Sequence, residues 1–217
     1  MHIKILYDNR AERGFLAGWG FSCLVEGEKK VLFDVGWDPH VLLHNMGQFN
    51  IDTKDIGAIV LSHGHWDHIG ALPAVLSSEK TVYVPESFSE NLKREISARA
   101  SLVEVSGKMQ ITKTVSTTGE LGGTIKEQSL IVESENGSCI VTGCAHPGLE
   151  TIIKACRPQE YAVIGGFHGF SQLNILKDTF MVCPCHCTQH KKEIQELYPD
   201  KYRHCAAGCT LQLGDQL

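Results

Sequence analysis

Four stretches of this chain share one design: an apolar run of strand composition that ends in a histidine and a turn. They read AIVLSHGH (His63 and His65), CIVTGCAHPG (His146), YAVIGGFHG (His168) and FMVCPCHCTQ (His186). Runs this apolar are expected where both faces of a strand are covered. The chain must therefore build sheets with layers packed over them. A strand end is also a good mount for chemistry, because the sheet fixes its direction while the following loop stays open.

The intervening segments supply the covering layers. Strands are read at IKILY, FSCLVE and KKVLFDVG, with Gly27-Glu28-Lys29 as a tight connection between the last two. A helix is expected over residues 38–46, opened by Asp38-Pro39, followed by a short turn capped by Asp52 or Thr53. GAIVLSH reads as a strand and Ile69 to Leu76 as a helix. TVYVP, SLVEVS, QITKTVSTT, QSLIVES and SCIVTGCAH read as further strands, with FSENLKREISA as an amphipathic helix. In the last third, PGLETIIKACR, SQLNILKD and QHKKEIQELYP are expected helices, and YRHCAAGCTLQLG an expected strand pair. Strand-rich blocks interleaved with helices suggest sheets packed face to face with helices outside.

With 217 residues, 42% of them hydrophobic, the chain can bury one core, and no Ser/Gly or Pro tract divides it. One domain over residues 1–217 is expected. A formal charge of −5 without basic clusters argues against a nucleic-acid partner. No apolar run approaches the roughly 20 residues of a membrane span. MHIKILYDNR reads as a strand rather than a signal peptide, so a cytoplasmic protein is expected. The nine cysteines are then thiols. Cys23, Cys139 and Cys156 sit in apolar patterns and are expected in the core. Cys183, Cys185, Cys187, Cys205 and Cys209 cluster near the end in spacings that match no common cluster motif, with Cys187 expected beside the active site.

The densest chemistry lies in His63-x-His65-x-Asp67-His68. A lone histidine is usually an ordinary imidazole satisfied by its surroundings. This spacing behind a buried strand, joined by other strand-end histidines, reads as a metal site. Residues i and i+2 of an extended stretch face one side, so His63 and His65 can grip one ion. Asp67 and His68 fall in the turn opening the next helix, where they can face a second.

The motif, with His146 of GCAHPG and His186 of PCHC, resembles the metallo-β-lactamase-fold superfamily. The early Asp8-Asn9, GCAHPG, GGFHG and HCT resemble its dihydropterin ribofuranosyl-aminobenzene-phosphate synthase-like subgroup. The resemblance implies an α+β fold, an αββα sandwich of two mixed sheets with helices outside. It implies one ion held by His63, His65 and His146 and a second by Asp67, His68 and His186. Asp34 in LFDVG matches an aspartate that supports the site from behind the ligands.

One departure has chemical consequences. The superfamily normally adds an aspartate that bridges both ions, and the strand end that should carry it reads Gly165-Gly166-Phe167-His168. A neutral imidazole offers one lone pair, so His168 cannot simply replace a bridging carboxylate. With Asp67 as the sole anionic ligand, two divalent ions keep a positive surplus suited to an anionic substrate. His168 is expected either at the mouth, as substrate ligand or proton donor, or buried as a hydrogen-bonding support. A divalent ion lowers the pKa of bound water to about 7, making hydroxide available, and Asp67 can act as general base. Zinc, manganese or iron would suit these ligands. A metal-dependent hydrolase acting on a small phosphorylated or cyclic substrate, pterin-like by resemblance, is the leading expectation. An iron-dependent oxidoreductase of dioxygen or thiol chemistry, or a non-catalytic metal- or ligand-binding protein, are the alternatives.

Overall fold

A computed structural model describes residues 1–135, 137–156 and 160–213. Its strands are β1 (His2–Tyr7), β2 (Ser22–Glu26), β3 (Lys30–Phe33), β4 (Ile56–Val60), β5 (Thr81–Pro85), β6 (Ser101–Val105) and β7 (Met109–Gln110). They continue with β8 (Val115–Thr117), β9 (Leu130–Ser134), β10 (Gly137–Thr142), β11 (Tyr161–Gly166), β12 (Thr179–Cys185) and β13 (Thr210–Gln212). The helices are α1 (Pro39–Gln48), α2 (Trp66–Ile69), α3 (Glu90–Ser97), α4 (Leu149–Cys156) and α5 (Lys191–Leu197).

One sheet has the order β13-β1-β2-β3-β4-β5-β6 and the other β12-β11-β10-β9-β8-β7. Both are mixed: β3, β4, β5 and β6 run parallel, as do β10, β11 and β12, while the remaining pairings are antiparallel. The period of two along β4 shows how the sandwich is held. Ala58 and Val60 pack between the sheets against a set that includes Val132, Val141 and Ile164. Ile59 and Leu61 join the outer cluster with Leu42 and Met46 of α1 and Ile96 of α3. On the second sheet, Ile140, Val163 and Val182 pack outward with Leu149 and Ile152 of α4 and Ile194 of α5. Each central strand is thus covered on both faces, which is why it is apolar throughout. The arrangement is the expected αββα sandwich. Cys23 and Cys139 lie between the sheets and Cys156 in the outer cluster, as expected of core thiols.

Helix α1 begins where the sequence predicts. The Asp38 carboxylate accepts from the His40 N–H at 2.8 Å, and Pro39 occupies the first turn, where its missing donor costs nothing. Asp38→Ala should cost about 1 kcal/mol, seen in thermal unfolding as a drop of roughly 2–4 °C. Asp52 likewise caps the turn Thr53–Asp55.

Several expectations need correction. The helix over Ile69 to Leu76 is instead α2 followed by a 3-10 turn at Leu72–Ala74. Gly70 packs too tightly on the Trp37 carbonyl for a side chain, and Pro73 cannot donate to a continuing helix. SQLNILKD forms a 3-10 helix at Leu173–Asp178. QITKTVSTT breaks into β7 and β8 around a turn in which Ile111 and Thr112 donate to the Val115 carbonyl. Of the expected terminal strand pair only β13 is a strand, pairing with β1. Gly214 and Arg157, at the ends of expected elements, lie outside the described residues. Among the described residues, no helix is long and apolar enough to cross a membrane.

The parallel strands β3 and β4 of one sheet and β10, β11 and β12 of the other end at one rim of the sandwich. Backbone strain concentrates there. Asp34 (φ 54°), Ala145 (φ 56°), His168 (φ 49°) and His186 (φ 42°) adopt left-handed conformations just beyond these strands. Such strain persists where the surroundings over-determine the backbone, commonly at functional sites.

Candidate metal centre

Asp34 organises the rim from beneath. Its buried carboxylate accepts from the Ser62 N–H and the Ser62 hydroxyl, both at 2.7 Å, and from His68 Nδ1 at 2.7 Å. Ser62 has one hydroxyl proton and gives it to Asp34, so its oxygen accepts from His63 Nδ1 at 2.8 Å. Both rings therefore carry their proton on Nδ1 and turn the Nε2 lone pair to the rim. His186 follows the same pattern. Its Nδ1 donates to Asn9 Oδ1 at 3.0 Å, while Asn9 Nδ2 donates back to the His186 carbonyl at 3.1 Å. The His186 N–H is held by the buried Asp8 carboxylate at 2.6 Å. Fixing one ring nitrogen so that the other faces outward is how metal-binding histidines are oriented.

The rings converge. Centroids are 4.6 Å apart for His63 and His65, 4.8 Å for His63 and His146, and 4.9 Å for His65 and His146. On the other side, His63 and His68 are 4.3 Å apart and His68 and His186 5.1 Å. Asp67 Oδ2 lies 3.1 Å from His186 Nε2, out of hydrogen-bond alignment, and 3.9 Å from His68 Nε2. The Nε2 atoms of His63, His146 and His186 are buried without a hydrogen-bond partner. Each such nitrogen costs about 1–3 kcal/mol if left unmade. Three aimed at one rim fit a cation with open coordination positions, and His63, His65 and His146 each offer a ligand atom within 4.8 Å of the others.

Electrostatics agree with that fit. Burial, then the neighbouring rings, hold His63 far below the ordinary imidazole range, and the same causes bring His146 down to about 4. These rings are neutral at pH 7. Burial raises the pKa of Asp67, but His186 and His68 more than offset this and hold the carboxylate ionised. Burial also opposes charge on His68, yet the Asp34 carboxylate prevails and raises its pKa.

Every sequence-predicted site residue reaches this rim. His63, His65 and His146 form one group, Asp67, His68 and His186 adjoin it, and Asp34 supports His68 from behind. His168 is exposed with its ring 5.3 Å from His146, which corrects the buried alternative. Trp66 is exposed and stands edge-on to Trp37 at 6.1 Å. Trp19 stands edge-on to His186 at 5.0 Å.

Three residues escaped sequence reading. Glu127 is buried and its carboxylate accepts from the N–H groups of Gly143, Cys144 and Ala145 at 3.0 Å and of His146 at 2.9 Å, shaping the loop that presents His146. Burial pushes its pKa up, although the amides favour the anion. Asn9 was visible only as part of a short motif. Cys144 was hidden inside GCAHPG, where the histidine draws the eye. Its sulfur lies 3.2 Å from His68 Nε2 and 3.3 Å from Cys187 Sγ, so Cys187 does flank the histidines. Of the remaining thiols of the terminal cluster, Cys183, Cys185 and Cys205 are buried together between the sheets, and Cys209 packs half-buried against the same core. The depression lined by Met1, Thr114, Glu133 and Leu213 lies at the opposite strand ends and brings no imidazole or thiol together.

The metallo-beta-lactamase superfamily model matches residues 20–98, which include Asp34 and the His63–His68 motif. An uncharacterized protein of Methanocaldococcus jannaschii is 29% identical over 87% of this chain and 91% of its own length. The 7,8-dihydropterin-6-methyl-4-(beta-D-ribofuranosyl)-aminobenzene-5'-phosphate synthase of the same organism is 26% identical over 89% of this chain and 90% of its own. The crystal structure of a metal-dependent hydrolase of the beta-lactamase superfamily superposes with a TM-score of 0.80 at 25% identity, covering 99% of this chain and 100% of that one. The chain thus has the metallo-β-lactamase fold throughout, and the superfamily's sequence model matches the segment that carries Asp34 and the first half of the rim.

Proposed function

We propose that this chain is a metal-dependent hydrolase holding two divalent ions, one on His63, His65 and His146 and one on Asp67, His68 and His186. The observation that carries this reading is the set of buried, partnerless Nε2 atoms on His63, His146 and His186. Zinc, manganese or iron bound there would supply a nucleophilic water at neutral pH and polarise the oxygen that gains charge. Asp67, ionised and beside His186, takes the proton of the attacking water. His168, exposed next to His146, contacts the anionic group of the substrate or protonates the leaving group.

The substrate is a small anionic molecule, phosphorylated or cyclic. Similarity to the dihydropterin-phosphate synthase favours a pterin-like ring, and the exposed Trp19, Trp37 and Trp66 near the rim offer flat faces for one. Elemental analysis of the purified, metal-loaded protein, followed by a panel of phosphoesters and lactones, tests the reading. About two ions per chain with turnover of phosphoesters is the expected result. Tightly held iron with visible absorption and no hydrolysis would turn the assignment toward redox chemistry.

A further inference from the structure

Two divalent ions bring four positive charges to the rim, and Asp67 offsets one of them. The strand end from which a bridging carboxylate would project is Gly166, and no side chain fits there. A Cβ at Gly166 would run into the Gly143 carbonyl oxygen and lie 2.7 Å from Cys187 Sγ. The Cys187 sulfur therefore borders that position. Cys144 stands beside it, 3% exposed, with its Sγ 3.3 Å from Cys187 Sγ and 3.2 Å from His68 Nε2. Cys144 Sγ also groups within 4.8 Å with ligand atoms of His63 and His68, and again with those of His186 and Cys187. It therefore reaches both halves of the rim. The loop that carries it is held by the four amides bound to Glu127 and by the left-handed Ala145 that follows.

We propose that Cys144 is a thiolate ligand shared by the two ions, with Cys187 as a second thiolate on the His186 side, together standing in for the missing carboxylate bridge. This rests on the two-ion reading above. A thiolate has several lone pairs and can bond to two ions, which a neutral imidazole cannot. Each thiol gives its proton to solvent as the metal–sulfur bond forms, and no oxidation state changes. With Asp67 and two thiolates the four positive charges meet three negative ones, leaving a surplus of one instead of three. Thiolate ligation also directs the site toward zinc or iron and away from manganese.

X-ray absorption at the zinc edge of the full-length, zinc-loaded protein reads the ligand shell directly. The expected result is a sulfur shell at about 2.3 Å beside a nitrogen or oxygen shell at about 2.0–2.1 Å. Cys144→Ser should remove most of that sulfur shell and lower zinc content from two equivalents toward one. Cys205→Ser, in the separate buried thiol cluster, should leave both unchanged. Two bound ions with only nitrogen and oxygen ligands overturn the proposal and leave the hydrolase reading standing. So does a sulfur shell that survives Cys144→Ser and disappears in Cys205→Ser, or a Cys144–Cys187 disulfide in the zinc-loaded protein. Absence of bound metal overturns both. If Cys144→Ser fails to fold, the Cys205→Ser spectrum decides: a sulfur shell that survives there supports the proposal, and one that disappears overturns it.

Discussion

Replacing His65 with alanine is expected to remove about one metal ion per chain and to lower hydrolytic kcat/KM by at least ~10³-fold, about 4 kcal/mol of transition-state stabilisation. The fold should survive, because His65 is exposed and its side chain makes no capping hydrogen bond at the start of α2. Its ring meets the rings of His63 and His146 edge-on, so its contribution is to the ligand set. Unfolding of the metal-free variant should stay within about 0.5 kcal/mol of the parent, which separates loss of ligand from loss of structure. Metal content by elemental analysis is the deciding measurement. A full complement of ions in His65→Ala would refute the assignment of this residue, whatever the activity.

Glu127→Ala should have the largest effect on stability. The carboxylate satisfies four consecutive amides, three buried and that of His146 half-buried, and alanine leaves all four without this partner. At about 1–3 kcal/mol for each buried unsatisfied group, the loss reaches about 4 kcal/mol or more even if the loop relaxes. That is a large share of the roughly 5–15 kcal/mol by which domains are stable. Gly143, Cys144 and Ala145 share Oε1 while His146 alone uses Oε2, so Glu127→Gln with its carbonyl at the Oε1 position turns an NH2 group toward one amide only, and about a quarter of the loss is expected. Urea unfolding of the metal-free proteins measures both, since bound metal would add stability by mass action and mask the difference. Near-parental stability of Glu127→Ala would mean that the 143–146 loop is not held as described.

Much of the fold is readable in the chain because its signals are local. The apolar run ending at Leu61 shows a strand covered on both faces, and Asp38-Pro39 shows a helix start, without reference to any distant residue. The errors arise where local pattern and packing compete. Ile69 to Leu76 has helical spacing, but close approach of Gly70 to the Trp37 carbonyl and the proline at position 73 end α2 early. The 3-10 helix Leu173–Asp178 shows the same limit: its apolar spacing reads as a helix, yet the chain takes the tighter turn. In the site, the His63–His68 motif announces itself through spacing alone, whereas His168 could be read as exposed or buried until its neighbours were known.

The sequence by itself determined the strand-end histidines, the clustering of His63, His65, Asp67 and His68 in one turn, and the absence of an aspartate at residues 165–168. Each depends only on the periodicity of one segment. Tertiary structure alone decided what surrounds Gly166 and what holds the histidine rings in place. Cys144 meets Cys187 across 43 residues and His68 across 76, and Asp8 holds the His186 amide across 178. No local pattern encodes those meetings. They follow from two sheets bringing their parallel strand ends to one rim, where Gly143 and Cys187 crowd Gly166 too closely for a side chain.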